Sequence, residues 1–161
     1  MTAAVDLLPY AHPSVAGARA LAGVLAPRPR WSERDLARLT RIFATRAADE
    51  LHQAARFDPV EPWRLRLAAT DQVQVWLQTW TPWQGTGPHG HGGSAGAYTI
   101  LLGELTATWR SGRGRTRQAV RVAGSAASFD PAGVHSLRNR GTIEAISVHA
   151  YSPPLDYFGA E

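Results

Sequence analysis

Two hydrophobic periodicities divide the chain near residue 60. Before it, Val15, Ala18, Leu21, Ala22 and Leu25 recur at three- and four-residue intervals between Ser14 and Ala26, the spacing of one helical face. Pro27 and Pro29 end that helix. Ser32 followed by Asp35 reads as an N-cap with an acidic first turn, opening a helix through Leu36, Leu39, Ile42, Phe43 and Ala47. The helix continues, or restarts, through Leu51 to Ala55, and Asp58-Pro59 and Glu61-Pro62 end helical structure. Beyond them the period switches to two: Val73, Val75 and Leu77; Tyr98, Ile100 and Leu102; Leu105, Ala107 and Trp109; Ala119, Arg121 and Ala123; Ile143, Ala145 and Ser147. Gly-rich turns separate these runs at short intervals, which predicts an antiparallel barrel or sandwich. The expected architecture is mainly β: a helical N-terminal layer over 1–58, packed on a barrel over 60–158, as a single domain spanning 1–161.

Composition sets limits on what such a domain does. A chain of 161 residues is one domain's worth, enough for one substantial core. No apolar run is long enough to cross a bilayer, so an integral membrane protein is not expected. The N-terminus lacks a basic segment followed by an apolar stretch, which makes the cytoplasm the expected location. With no cysteine, disulfide bonding is excluded. The formal charge of +4 comes from a chain whose basic residues are all Arg, with no Lys. Its one basic cluster, Arg110 to Arg117, falls where two strands should turn, and a solvated hairpin tip accounts for it. A nucleic-acid surface would spread basic and aromatic side chains over a face, so no nucleic-acid partner is expected.

The candidate chemistry lies in three histidines. His89 and His91 stand two apart in Pro88-His89-Gly90-His91, and on a strand alternate side chains share a face. His135, arriving from a distant strand, would complete a facial three-nitrogen site. Such a site leaves up to three positions open on an octahedral ion, which suits Fe(II) chemistry in which substrate and oxygen meet at one metal. The plain alternative is that His89 and His91 only decorate a Gly-rich loop. Ser147, His149 and Tyr151 also alternate, so a hydrogen-bond relay along one strand face is geometrically natural.

The context of these histidines resembles a known family. Gly85-x3-His89-x-His91 with Gly96-x6-Gly103 resembles the first cupin motif, and Pro131-x-Gly133-x-His135-x3-Asn139 resembles the second. Trp80, the run from Gly85 to His91, and Ser147-Val148-His149-Ala150-Tyr151-Ser152-Pro153-Pro154 narrow the resemblance to thiol dioxygenases of the cysteine dioxygenase type. The resemblance covers roughly residues 60 to 158. It implies a cupin-type antiparallel β-barrel of jelly-roll form, in which His89, His91 and His135 hold Fe(II) and the Tyr151 hydroxyl, oriented by His149 and Ser147, reaches the metal pocket. Many cupins add a Glu four or five residues after the second His; here those positions are Ala95 and Gly96, leaving a neutral ligand set suited to a thiolate. Some family members cross-link the Tyr to a Cys at the Gly96 position, which this chain cannot do. The sequence also departs from the common pattern at Gly90, where Asp is frequent, and at Trp83, where Gly is usual.

The family holds its substrate's carboxylate with an Arg, or in some members a Gln, on an early strand. Arg66, 23 residues before His89, is the preferred candidate and Arg64 the second. A guanidinium fork matches a carboxylate in bidentate geometry. The resemblance implies oxidation of L-cysteine by O2 to cysteine sulfinate, with a monomeric enzyme needing no external reductant. Other small thiols such as 3-mercaptopropionate stay open as substrates. So do a non-catalytic cupin that senses a thiol or metabolite and a cupin isomerase or sugar-binding module using zinc or manganese.

Overall fold

The computed structural model of the chain describes residues 10–110 and 114–156. The predicted turn between Arg110 and Arg117 falls partly outside them, at 111–113, as do the ends of the expected domain at 1–9 and 157–161. In chain order the elements are β1 (Tyr10–Ala11), α1 (Ala16–Ala20), a 3-10 turn (Ala22–Leu25), α2 (Glu33–Arg46), α3 (Ala48–Ala54), β2 (Trp63–Ala69), β3 (Gln74–Trp80), β4 (Ala95–Leu102), β5 (Glu104–Arg110), β6 (Arg117–Val122), β7 (Ala126–Phe129), β8 (Val134–Arg138) and β9 (Ala145–Ser152).

The long helix begins where the sequence places it. Ser32 Oγ accepts the Asp35 N–H at 3.2 Å, and the Asp35 carboxylate accepts the Ser32 N–H at 3.0 Å, a reciprocal cap that satisfies two otherwise unpaired donors. The Ser32 hydroxyl also donates to that carboxylate at 2.6 Å, and this bond, followed by the one from the Ser32 N–H, holds the Asp35 carboxyl below its ordinary range. Leu36, Leu39, Thr40, Phe43 and Ala44 form the buried face of α2, which packs on β4, β9 and β7. A buried bond of 2.8 Å between the Thr40 and Thr99 hydroxyls ties the helix to β4.

The strands form two antiparallel sheets, one ordered β1-β2-β3-β9-β4-β7 and one ordered β6-β5-β8. Strand β9 lies between β3 and β4, so the last of the described strands closes the middle of the larger sheet. That sheet is covered on both faces, and alternation decides what each face receives. Val75, Leu77, Ala97, Ile146, Val148 and Ala150 belong to the core shared with α2. Trp80, Tyr98, Ile100 and Ala145 belong to a second core, with Leu105, Ala107 and Leu137 of the smaller sheet. The result is an antiparallel barrel with helices on one side, as the periodicity predicts, in the jelly-roll form that the family resemblance implies.

Several boundaries differ from the sequence reading. The predicted helix from Ser14 to Ala26 is one short helix followed by a 3-10 turn; Gly17 and Gly23 lie within it, and glycine weakens helices. The N-terminal layer is not wholly helical, because β1 pairs with β2 at the sheet edge. Ile143 stands exposed before β9 instead of opening it. The second helical segment restarts at Ala48 after a break at Ala47. Replacing Ser32 with Ala should lower unfolding free energy by about 1 kcal/mol. Urea denaturation measures this, and no change would mean that the cap does not hold the helix.

Candidate metal centre

His89 and His91 do not lie on a regular strand, contrary to the sequence expectation. They sit in the irregular segment between β3 and β4, which is laced to β8 by backbone bonds. Thr86 N donates to Leu137 O at 2.8 Å, and His89 and His135 exchange both backbone bonds, at 2.9 and 3.1 Å. Gly85 permits this approach: a Cβ there would lie 2.6 Å from the Leu137 carbonyl oxygen. The convergence of the imidazoles thus comes from antiparallel pairing of a loop with β8.

The three rings meet pairwise edge to face with centroids 4.8 Å apart. One nitrogen from each lies within 4.8 Å of the others, and no carboxylate joins them among the described residues. His89 Nδ1 is 2.8 Å from the Gly87 carbonyl. A carbonyl only accepts, so the hydrogen sits on Nδ1 and Nε2 is left for a ligand role. Both ring nitrogens of His91 are buried without a hydrogen-bond partner among the described residues. A buried imidazole in that state is unfavourable in a purely structural role and fits a metal ligand. The donor set therefore suits a cation that accepts neutral nitrogen ligands and keeps open positions, such as a divalent first-row metal.

A buried chain of polar groups runs beside the cluster along β9. The Trp80 indole N–H donates to Ser147 Oγ at 2.9 Å, Ser147 Oγ lies 2.8 Å from His149 Nε2, and His149 Nδ1 lies 3.3 Å from Tyr151 Oη. An indole can only donate. If Ser147 gives its own hydrogen to Nε2, the imidazole hydrogen falls on Nδ1 and faces Tyr151 Oη. The phenol hydrogen then points away from His149. Burial, reinforced by the other imidazoles, drives the His149 pKa well below its ordinary value, so the ring in the middle of this chain of contacts is neutral.

The histidines and Tyr151 line a cavity of about 540 Å³, together with Arg64, Gln78, Trp80, Leu137 and His149. Arg64 is exposed at its edge, opposite Gln78 in the β2–β3 register. Arg66, the preferred carboxylate partner in the sequence reading, does not line this cavity: its guanidinium lies 4.6 Å above the Tyr10 ring. The pairing register shifts between Arg66 and Ala68, and ungapped counting along the sequence cannot register which of two arginines meets the cavity. Sequence reasoning also missed Gln78. Its signal was the alternation Gln74, Trp76, Gln78, Trp80, which puts polar and aromatic groups on the barrel side of β3.

Burial is the main reason that the His91 pKa falls to about 4 and that of His135 to about 3, with neighbouring imidazoles adding to both. An unfolded imidazole titrates near 6.5, so between the two values the unfolded chain binds more protons. In the metal-free protein this stability is complete above about pH 6.5 and is lost as pH falls toward the folded values, by at most about 1.4 kcal/mol per unit for each ring. Urea midpoints at about pH 7 and about pH 5 test the expectation; equal midpoints would mean the rings are not held neutral.

A family model for cysteine dioxygenase type I matches residues 30–160. Among solved structures, a protein of Thermus thermophilus is 25% identical with a TM-score of 0.57, over 64% of this chain and 93% of that one. A protein with a double-stranded β-helix domain from Klebsiella pneumoniae is 26% identical with a TM-score of 0.53, over 64% and 86%. A cupin protein of Desulfovibrio desulfuricans, 17% identical with a TM-score of 0.54 over 64% and 92%, shares the fold. No curated protein matches the chain. The family match takes in α2, the larger sheet from β2 onward and all three clustered histidines, and the chain therefore belongs to the cysteine dioxygenase type I family, metal-dependent enzymes of the oxygenase type with the cupin fold.

Proposed function

We propose that the protein is an Fe(II)-dependent dioxygenase for a small thiol bearing a carboxylate, with L-cysteine the first candidate and 3-mercaptopropionate the second. The observation that carries this reading is the neutral three-histidine cluster facing the same cavity as Tyr151 and Arg64. Three neutral ligands leave a divalent ion its full charge, which favours an anionic thiolate over a neutral substrate. His89, His91 and His135 would hold the ion, and bound Fe(II) would supply a face on which a thiol and O2 can be brought together. The overall change transfers both oxygen atoms to sulfur, RSH + O2 giving RSO2H, with no outside reductant.

The chain's own residues supply the rest. Arg64, at the cavity edge, offers a planar fork to the substrate carboxylate. Tyr151 presents a phenol in a buried wall, its orientation held by His149, Ser147 and Trp80. Leu137, Trp80 and the ring of Tyr151 give the cavity apolar surface that limits water. The protein acts as a cytoplasmic single-domain monomer in this reading, with no nucleic-acid or membrane partner.

Oxygen uptake by iron-loaded protein with cysteine, 3-mercaptopropionate and cysteamine is the direct test. The carboxylated thiols should each drive uptake, and cysteamine, lacking the carboxylate, should be poor. Absence of thiol-dependent uptake would overturn the reading. Arg64→Gln should lower kcat/KM for the preferred thiol by about tenfold to a hundredfold, mostly through KM, the loss expected for a hydrogen bond to a charged group, whereas Arg66→Gln should change it little. The reverse result would return the carboxylate to Arg66. Tyr151→Phe should keep its iron and lose about one to three orders of magnitude in turnover; wild-type turnover would reduce this Tyr to packing.

A further inference from the structure

The cross-strand row containing Tyr151 holds an aromatic ring that no part of the proposed reaction uses. Gly96 on β4 pairs with Tyr151 on β9 and with Phe129 on β7. A Cβ at Gly96 would lie 2.1 Å from Phe129 Cζ and 2.3 Å from Cε2. The Phe129 ring thus occupies the space above the glycine that a side chain on β4 would fill. It also meets the histidine cluster: it stacks on His91 at 4.4 Å with 23° between planes, and meets His135 edge to face at 4.5 Å.

What makes this contact consequential is the state of His91. A metal-binding imidazole ordinarily donates its second ring N–H to a carboxylate, carbonyl or water, and that bond fixes the ring's orientation. His89 follows the rule through Gly87. His91 does not, since neither of its ring nitrogens has a hydrogen-bond partner among the described residues. Its plane is set by packing: Phe129 stacks on it, Tyr151 lies at 5.2 Å tilted by 30°, and His89 and His135 meet it edge to face. Stacking of this kind restrains the tilt of a ring while leaving its edge nitrogens open.

We propose that Phe129 is a positioning residue for the metal centre, its ring admitted by Gly96 and holding His91 in ligating orientation where a hydrogen bond would otherwise do so. The inference rests on the reading of the three histidines as metal ligands, and not on which thiol is oxidised. The glycine and the phenylalanine are one device. A side chain at Gly96 would displace the ring from His91 and His135, because the ring is bounded by those imidazoles and cannot move without leaving them.

The test is a double-mutant cycle of Phe129→Leu and Gly96→Ala, read as ferrous affinity by anaerobic competition with a chelator, and as the visible spectrum of the Co(II)-substituted protein. Circular dichroism establishes that each variant is folded. Phe129→Leu should weaken iron binding by about tenfold to a hundredfold, the range for loss of an outer partner of a ligand, and should alter the cobalt spectrum. Gly96→Ala alone should produce a comparable loss. The double variant should be no worse than Phe129→Leu, since removing the ring also removes the collision. Should Phe129→Leu fail to fold, Gly96→Ala carries the test by itself, since it keeps the ring and only moves it. Wild-type affinity in either folded single variant, or losses that multiply in the double, would overturn the role of Phe129. Wild-type protein that binds no ferrous ion would overturn the metal centre itself, and this inference with it.

Discussion

The middle strands of the larger sheet, β3, β9 and β4, are buried on both faces, and everything at the site depends on that. A strand with water on one side can place any polar residue there; β3, β9 and β4 cannot, because α2 covers one face and the smaller sheet the other. Each polar side chain on them must find a partner inside the protein. Alternation then does the sorting. On β9, Ile146, Val148 and Ala150 meet the helix layer, while Ser147, His149 and Tyr151 face the barrel, where Trp80 satisfies the serine and the serine the histidine. A shift of one residue in register would send the relay into the helix interface and the aliphatic row into the cavity.

The electrostatics follow from the same burial. Burial, with the neighbouring imidazoles adding to it, keeps His91 and His135 neutral, which is the form that binds a cation. With no carboxylate beside them among the described residues, their preference is for an ion whose charge a further anion completes. The guanidinium of Arg64 stands at the same cavity's edge. The pocket is thereby suited to a molecule that carries negative charge at two points.

Much of this was legible in the sequence, for physical reasons that can be named. The cap at Ser32 and the apolar stripe of α2 are local signals, and the helix starts where they put it. Strands β3, β4 and β5 show as alternation because side chains on one face differ in kind from those on the other. The histidines were identified by spacing and motif, although the strand geometry expected for His89 and His91 is absent. The pairing of their loop with β8 is long-range and leaves no local pattern. Strands β1 and β7, short and at sheet edges, have too few residues to establish a period. The same limit hid Phe129, whose contact with His91 exists only once β7 is laid beside β4. The choice between Arg64 and Arg66 turned on contacts that spacing does not encode. Both point to one face on a regular strand, but the second has its guanidinium over the Tyr10 ring of β1 and only the first lines the cavity.

The central claim is that His89, His91 and His135 form one metal site. Iron content measured after anaerobic loading, with circular dichroism to verify folding, tests it most directly. The wild-type protein should hold one ferrous ion per chain, and each of His89→Ala, His91→Ala and His135→Ala should hold almost none while the fold persists. A folded variant that keeps a full complement of iron after losing any one of the three would contradict it.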